Sequence, residues 1–173
     1  MANRDNPHGL RPLGRTMAGG VPFVEEFSKA STYTALYIWD AVNRVADGTI
    51  EASATPGSTL YSGVNLIAGA TLTATTHLVM TSPDALYEAQ DNAATDGFAE
   101  ADMGLNANLV LGTGSATTLI SGHEINETGA DVTATLDVHL LRLFPAPDNA
   151  AGAWSRVEII FNKHRMAQDN VGV

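Results

Sequence analysis

The chain has 173 residues, a formal net charge of −10 and no cysteine. This length predicts one domain with its own core, and the absence of cysteine excludes a disulfide framework, a thiolate nucleophile and a cysteine-ligated metal site. No lysine or arginine occurs from Val45 to Leu141, a stretch that holds twelve acids. Because nucleic acid and anionic membranes repel such a body, we expect neither as a partner. The basic ends of the chain are expected to make the docking contacts.

Residues 1–22 predict an extended N-terminal arm, because proline and glycine are too frequent there for a regular helix or strand. The arm carries apolar anchors and a basic charge, so we expect it to become ordered on a partner. It has no apolar run typical of a signal peptide, and no run of about eighteen apolar residues follows it. We therefore expect synthesis in a cytoplasm and no membrane span.

After the arm, the chain shows short β-prone runs separated by turn signals. Asp47-Gly48 is a hairpin signal, and one helical turn is expected near 99–103 in an otherwise irregular acidic loop. Trp39 is expected in the core. The predicted strands are 34–39, 42–45, 49–53, 60–67, 71–80, 85–90, 108–111, 117–120, 124–126, 132–141 and 156–161.

The last two predicted strands have the clearest pattern. From Val132 to Leu141, apolar and other residues alternate as in a half-buried strand, and Val157, Ile159 and Phe161 share one face of the final strand. The pattern as a whole predicts an all-β fold: a single antiparallel, jelly-roll-like sandwich or barrel. Its body spans 23–162, between the arm at 1–22 and a short extended C-terminal tail at 163–173.

No residue pattern predicts an active site. Neither a nucleophile elbow nor a phosphate-binding loop occurs, and the five histidines lack the His-x-His spacing of a cupin metal site. Six acids crowd between Asp84 and Asp102 without the spacing of an EF-hand; calcium binding stays an alternative to a solvated acidic rim. We therefore predict no catalytic, cofactor-binding or metal-binding residues, no cofactor and no enzymatic activity.

Several short motifs, in a common order along the chain, resemble those of small capsid-associated structural proteins of tailed bacteriophages. They are Met1-Ala-Asn-Arg-Asp-Asn-Pro-His-Gly-Leu-Arg-Pro12, Ser82-Pro-Asp-Ala-Leu-Tyr-Glu-Ala-Gln90, Asn106-Ala-Asn108 before Gly-Thr-Gly-Ser, Pro147-Asp-Asn149, Phe161-Asn-Lys-His164 and Gly172-Val173. The resemblance implies a head cement or decoration protein, located on the capsid exterior of the virion. Its implied partners are the major capsid protein and copies of itself, as a dimer or trimer at a local symmetry axis.

The implied mechanism is a staple that holds neighbouring capsomers together against the pressure of the packaged genome. The arm would bury apolar residues across a capsomer junction while its arginines pair with acids of the shell. Deleting residues 1–20 should then leave a folded body that no longer binds heads. The residues predicted to dock are Arg4, Pro7, Leu10, Arg11, Leu13, Arg15, Val21 and Phe23 in the arm, with Trp154, Arg156, Lys163 and His164 as a second interface.

Two other classes of protein stay open. A carbohydrate-binding jelly-roll module of a virion or cell-surface adhesin would need exposed aromatic residues near Asp or Asn, and its candidates are Tyr61, Tyr87 and Trp154. A non-heme metal enzyme on the same fold would need a bound metal ion.

Overall fold

A computed structural model describes residues 3–30, 35–56, 60–67 and 76–167. Within these ranges, eleven strands and two short 3₁₀ helices form two antiparallel sheets that pack together as a β-sandwich. The predicted all-β sandwich is confirmed, whereas a jelly roll in particular is not. No helix in the described part of the chain has the length and apolarity needed to cross a bilayer.

The two sheets divide the strands unequally. The first sheet has six strands, in the spatial order β1 (Arg11–Thr16), β7 (Ala85–Gln90), β11 (Arg156–Phe161), β10 (Val138–Leu143), β8 (Asn106–Val110) and β9 (Glu124–Asp131). The second sheet has five, in the order β2 (Val24–Ser28), β6 (Thr76–Met80), β5 (Gly63–Asn65), β3 (Ala41–Arg44) and β4 (Ile50–Ala52). The 3₁₀ helices are Glu100–Asp102, which confirms the predicted helical turn, and Arg165–Ala167.

The core lies between the sheets and depends on the alternation of side chains along each strand. Val157, Ile159 and Phe161 of β11 are buried, as predicted. Phe161 stacks on Tyr61, with ring centroids 4.9 Å apart, and meets Tyr87 edge-on at 5.4 Å. The Tyr61–Phe161 stack connects the first sheet to the segment that leads into β5 of the second. Consequently, both tyrosines are fully buried and neither is available as an exposed glycan contact.

Several predicted turns and strands are confirmed. Asp47-Gly48 connects β3 to β4, with the Val45 amide donating to the Thr49 carbonyl at 2.9 Å. The predicted strand 85–90 coincides with β7, and the predicted strand 71–80 contains β6. Predicted strand residues 34 and 71–75, and the part of the predicted tail at 168–173, lie outside the described residues.

The predicted strand at 132–141 is wrong in its first half. β9 continues to Asp131, the chain then turns, and β10 begins only at Val138. Val132 is 78% exposed, although it began the alternating pattern. The strand start is set by Asp137, a buried residue whose carboxylate accepts from the Leu109 amide at 3.0 Å. Since this partner lies on β8, sequence alternation alone could not locate the turn.

The predicted strand at 117–120 is also wrong. Residues 116–118 form a turn, and Leu119 has a left-handed backbone with φ 60°. Only Ile120 forms a β-bridge there, to Ile38.

The interpretation of residues 1–22 as an extended arm without a strand is wrong for residues 10–16. Leu10 is fully buried in the core, and β1 pairs with β7 along the sheet edge. An edge strand tolerates Pro12 because one side of it needs no hydrogen-bonding neighbour. Gly14, with φ 69°, lies where the register shifts between Pro12 and Thr16. Proline and glycine therefore conceal a strand in the sequence while fitting one at this edge.

Candidate functional site

Four strands of the first sheet bring charged residues from both ends of the chain into one row. Cross-strand pairing places Arg11 opposite Glu88, Glu88 opposite Glu158, and Glu158 opposite Arg142. The row faces away from the core, because the neighbouring strand residues point inward. We call Arg11, Glu88, Glu158 and Arg142, together with Arg15 and Arg156, the arginine–glutamate row.

Each glutamate of the row lies between two arginines. Glu88 is fully buried and contacts Arg11 and, at 3.4 Å, Arg156. Glu158 is 3% exposed and contacts Arg15 at 3.0 Å and Arg142 at 2.8 Å. Burying a carboxylate is costly unless opposite charges and hydrogen bonds compensate it. The four guanidinium groups supply that compensation and cover the outer face of the sheet.

The row changes the interpretation of the basic ends. Arg11 and Arg15, predicted to pair with acids of a partner, pair with glutamates of their own chain. Arg4 is exposed and forms no ion pair with any residue that the structure describes. A glutamate inside each of two β-prone runs was the available sequence signal for this arrangement, but pairing across four strands cannot be inferred from it.

A second feature is the segment 17–24, which runs from the end of β1 through the first residue of β2 and which we call the apolar connector. Four of its side chains are large, apolar and exposed: Met17 (55%), Val21 (85%), Phe23 (70%) and Val24 (46%). Its backbone is held by two hydrogen bonds. The Met17 amide donates to the Asp84 backbone carbonyl at 2.9 Å, and the Phe23 carbonyl accepts from the Thr81 amide at 3.0 Å. The apolar side chains are therefore presented on a fixed backbone.

The other residues predicted to dock are scattered. Pro7 is exposed and Leu13 is half-buried, while the burial of Leu10 removes it as a docking anchor. In the second predicted interface, Arg156 belongs to the arginine–glutamate row, Lys163 is half-buried and Trp154 is 37% exposed.

His164 is only 1% exposed, so its prediction as an interface residue is wrong: its ring packs beside Phe161 instead.

The third feature is a groove of about 700 Å³ beside the row, which the sequence did not predict. Residues 3–6 and His8 form one wall. The Asn3 side chain donates to the carbonyls of Ala150 and Ala153, and Gln90 donates to the carbonyls of Arg4 and Trp154. Trp39, predicted to lie in the core, packs against the core but also lines this groove. The chain's two tryptophans thus meet in one concave site.

The predicted acidic rim does not form one site. Asp91 is buried and accepts hydrogen bonds from the Ser155 hydroxyl at 2.7 Å and from the Trp154 amide at 3.2 Å. Glu88 is occupied by arginines. Within the described residues, no group of three or more histidine or acidic side chains is arranged to hold a metal ion.

Buried histidines give the protein a titratable interior. Burial lowers the pKa of His123 and of His164 to about 4, against an ordinary value of 6.5. Each folded histidine therefore binds fewer protons than the unfolded one below pH 6.5, so its contribution to stability falls as the pH decreases through this window. Burial acts oppositely on acids: it raises the pKa of Asp40 to about 6 and of Glu124 to about 7. The contribution of these two acids to the stability of the fold falls as the pH rises from the ordinary carboxyl pKa to these raised values.

We expect the His164→Asn variant to lose stability less steeply than the parent protein between pH 6.5 and 4. Asparagine can still accept the Met166 amide hydrogen bond that the His164 ring accepts at 3.2 Å, but it does not titrate. The expected difference between pH 6.5 and 4 is about 3 kcal/mol. Urea unfolding across this pH range measures it, and parallel pH profiles for the two proteins would contradict it.

No protein-family model, curated protein or solved structure matches this chain.

Proposed function

We propose that this protein is a phage structural protein that binds the outer surface of the expanded capsid and joins neighbouring capsomers of the major capsid protein. The exposure of the apolar connector is the observation that carries the proposal. Exposed apolar patches on soluble proteins mark interaction sites, and four of the eight residues of the connector expose a large apolar side chain. Val21 and Phe23, which the sequence singled out for docking, are 85% and 70% exposed.

The connector can contribute useful binding energy without a disordered arm. Burying a valine or phenylalanine side chain contributes about 1.5–3 kcal/mol, and a backbone that is already fixed avoids most of the entropic cost of ordering a free segment. Repetition of the contact over many sites of a shell adds avidity. The proposed docking segment is thus the connector itself, with its apolar side chains on a backbone that is already fixed.

The surroundings of the connector define the complementary surface. Glu25 and Glu26 follow it directly and are exposed on the edge strand β2. An acceptor site would therefore combine an apolar groove with basic side chains at its rim, which also orients the docked protein. Shell expansion would create this apolar acceptor groove on the capsid, at a junction between capsomers. In this proposal the protein is located on the virion exterior and acts as a dimer or trimer at a local symmetry axis.

We expect the Val21→Ser/Phe23→Ser variant to lose binding to expanded heads by at least about tenfold, because two buried apolar contacts are removed. The measurement is co-sedimentation of purified protein with expanded heads of its phage prepared without this protein, alongside unexpanded procapsids. The parent protein should saturate expanded heads at a fixed ratio to the major capsid protein and should not bind procapsids.

Val132→Ser is the matched control, since Val132 is equally exposed at 78% but lies in the turn between β9 and β10. It should bind like the parent protein. Equal loss in both variants would indicate a non-specific apolar effect, and no binding of the parent to either shell would reject the proposed function.

A further inference from the structure

Both tryptophans of the chain have a left-handed backbone, and both line the groove. Their φ angles are 71° at Trp39 and 56° at Trp154. Bulky side chains rarely adopt this conformation, because it brings Cβ too close to the backbone. Such strain persists only where surrounding contacts impose it, and it concentrates at binding and catalytic sites.

Hydrogen bonds impose the strain at both positions. The Trp39 amide donates to the Asn65 carbonyl at 2.7 Å, and its carbonyl accepts from Leu10 at 3.0 Å. The Trp154 amide donates to buried Asp91, and its carbonyl accepts from buried Gln90 at 3.0 Å. With each residue's amide and carbonyl both hydrogen-bonded, the backbone at the two tryptophans is fixed, and both residues line the groove.

The charges that line the groove balance. Three arginines (Arg4, Arg11 and Arg156) oppose three acids (Asp5, Glu88 and Asp148). Burial lowers the pKa of the one histidine in the lining, His8, so it adds no charge at neutral pH. Arg11 and Arg156 are already paired with carboxylates, with which a strongly anionic ligand would have to compete. Among the three arginines, only Arg4 has no such pairing with a described residue. The groove therefore matches an uncharged ligand that both donates and accepts hydrogen bonds.

Polar groups in the groove have hydrogen-bonding capacity left for a ligand. The side chains of Arg4, Asp5 and Asn6 form no hydrogen bond or ion pair with the residues that the structure describes. His8 Nε2 is buried without a hydrogen-bond partner and lies 4.0 Å from the nearest Glu88 oxygen. A guanidinium has five N–H donors. The guanidinium of Arg156 is positioned by Glu88 and by the Phe144 ring, whose centroid lies 5.7 Å from Arg156 Cζ.

We propose that this groove is a binding site for a neutral saccharide. In this proposal Trp154, which is 37% exposed and lines the groove, stacks against the apolar C–H side of a sugar ring. Arg4, Asp5 and Asn6 supply donors and acceptors for its hydroxyl groups. A groove of about 700 Å³ holds a short oligosaccharide. This site differs from the apolar connector, so saccharide binding and capsid binding would be separate properties of one chain.

The test is a titration of the full-length protein with neutral oligosaccharides of glucose, galactose, mannose and N-acetylglucosamine, followed by tryptophan fluorescence and calorimetry. We expect at least one to bind at micromolar to millimolar concentration. Trp154→Ala should weaken that binding about tenfold or more, and Arg4→Ala should also weaken it. Trp154→Phe keeps an aromatic face and should largely retain binding, which separates stacking from loss of the fold.

Met166→Ala is the matched control, since Met166 is 63% exposed and does not line the groove. It should leave the affinity unchanged. Heparin oligosaccharides and a polyglutamate peptide are the charged competitors. The proposal is overturned if no neutral sugar binds at millimolar concentration, if Trp154→Ala binds like the parent, or if only a charged competitor binds. None of these results bears on binding to capsids through the connector.

Discussion

Deletion of residues 1–20 is expected to unfold the protein. The deletion removes Leu10 from the core, removes edge strand β1, and takes Arg11 and Arg15 from the two buried glutamates. Loss of one buried leucine side chain costs about 2–5 kcal/mol, and a buried carboxylate that loses its partners costs about as much again. Their sum is comparable to the about 5–15 kcal/mol that stabilises a typical domain.

Circular dichroism and urea unfolding of the truncated protein measure this effect. Deletion of residues 1–9 is the control, because it keeps Leu10 and β1. It removes groove residues and a few hydrogen bonds, such as the one from the Gly9 amide to the His123 carbonyl, and this shorter deletion should stay folded. A Δ1–20 protein with the parental unfolding midpoint would contradict the expectation. The deletion is therefore unsuitable as a test of docking, and the connector variant takes its place.

The second large effect concerns Glu88. We expect the Arg11→Met/Arg156→Met variant to lose about 3–5 kcal/mol of stability, because it leaves a fully buried carboxylate without its two counter-charges. Methionine keeps most of the side-chain length, so the variant removes charge more than packing. The free energy of unfolding in urea at neutral pH is the measurement.

Adding Glu88→Gln to this variant should restore much of the lost stability, since a neutral amide needs no counter-charge. Arg165→Met is the matched control: Arg165 is exposed, and its side chain donates to the Arg44 carbonyl at 2.7 Å. The free energy of unfolding of Arg165→Met should stay within about 0.5 kcal/mol of the parental value. If the Glu88→Gln change destabilised the protein further, loss of packing rather than loss of charge would explain the result.

The sequence predicts correctly those strands and turns whose formation depends on residues close to them along the chain. Strand β7 and the hairpin at Asp47-Gly48 follow from β-propensity and turn chemistry within a few residues. Strand β1 was missed because Pro12 and Gly14 disfavour regular strands, and only an edge position beside β7 makes them acceptable. The turn at 132–137 was missed because its determinant, buried Asp137, bonds to a residue on another strand.

The candidate sites also divide into features that follow from local sequence and features that depend on contacts between distant segments. Val21 and Phe23 were identified from sequence as apolar residues in a segment of high proline and glycine content, and the structure leaves both exposed. The groove was not identified, because its two tryptophans lie far apart along the chain and meet only through the fold. Leu10 was assigned to docking because an apolar residue in such a segment has the same sequence signature whether it is buried or exposed.

The sequence by itself determined the all-β class, most strand positions and the confinement of basic residues to the two ends of the chain. These properties rest on composition and on the period of side chains along each strand. Only the tertiary structure decided that β1, β10 and β11 share a sheet with β7, and hence that the basic ends meet over Glu88 and Glu158. The physical reason is that strand pairing is set by contacts between distant segments, so the partner of a charge is not encoded in its neighbours along the chain.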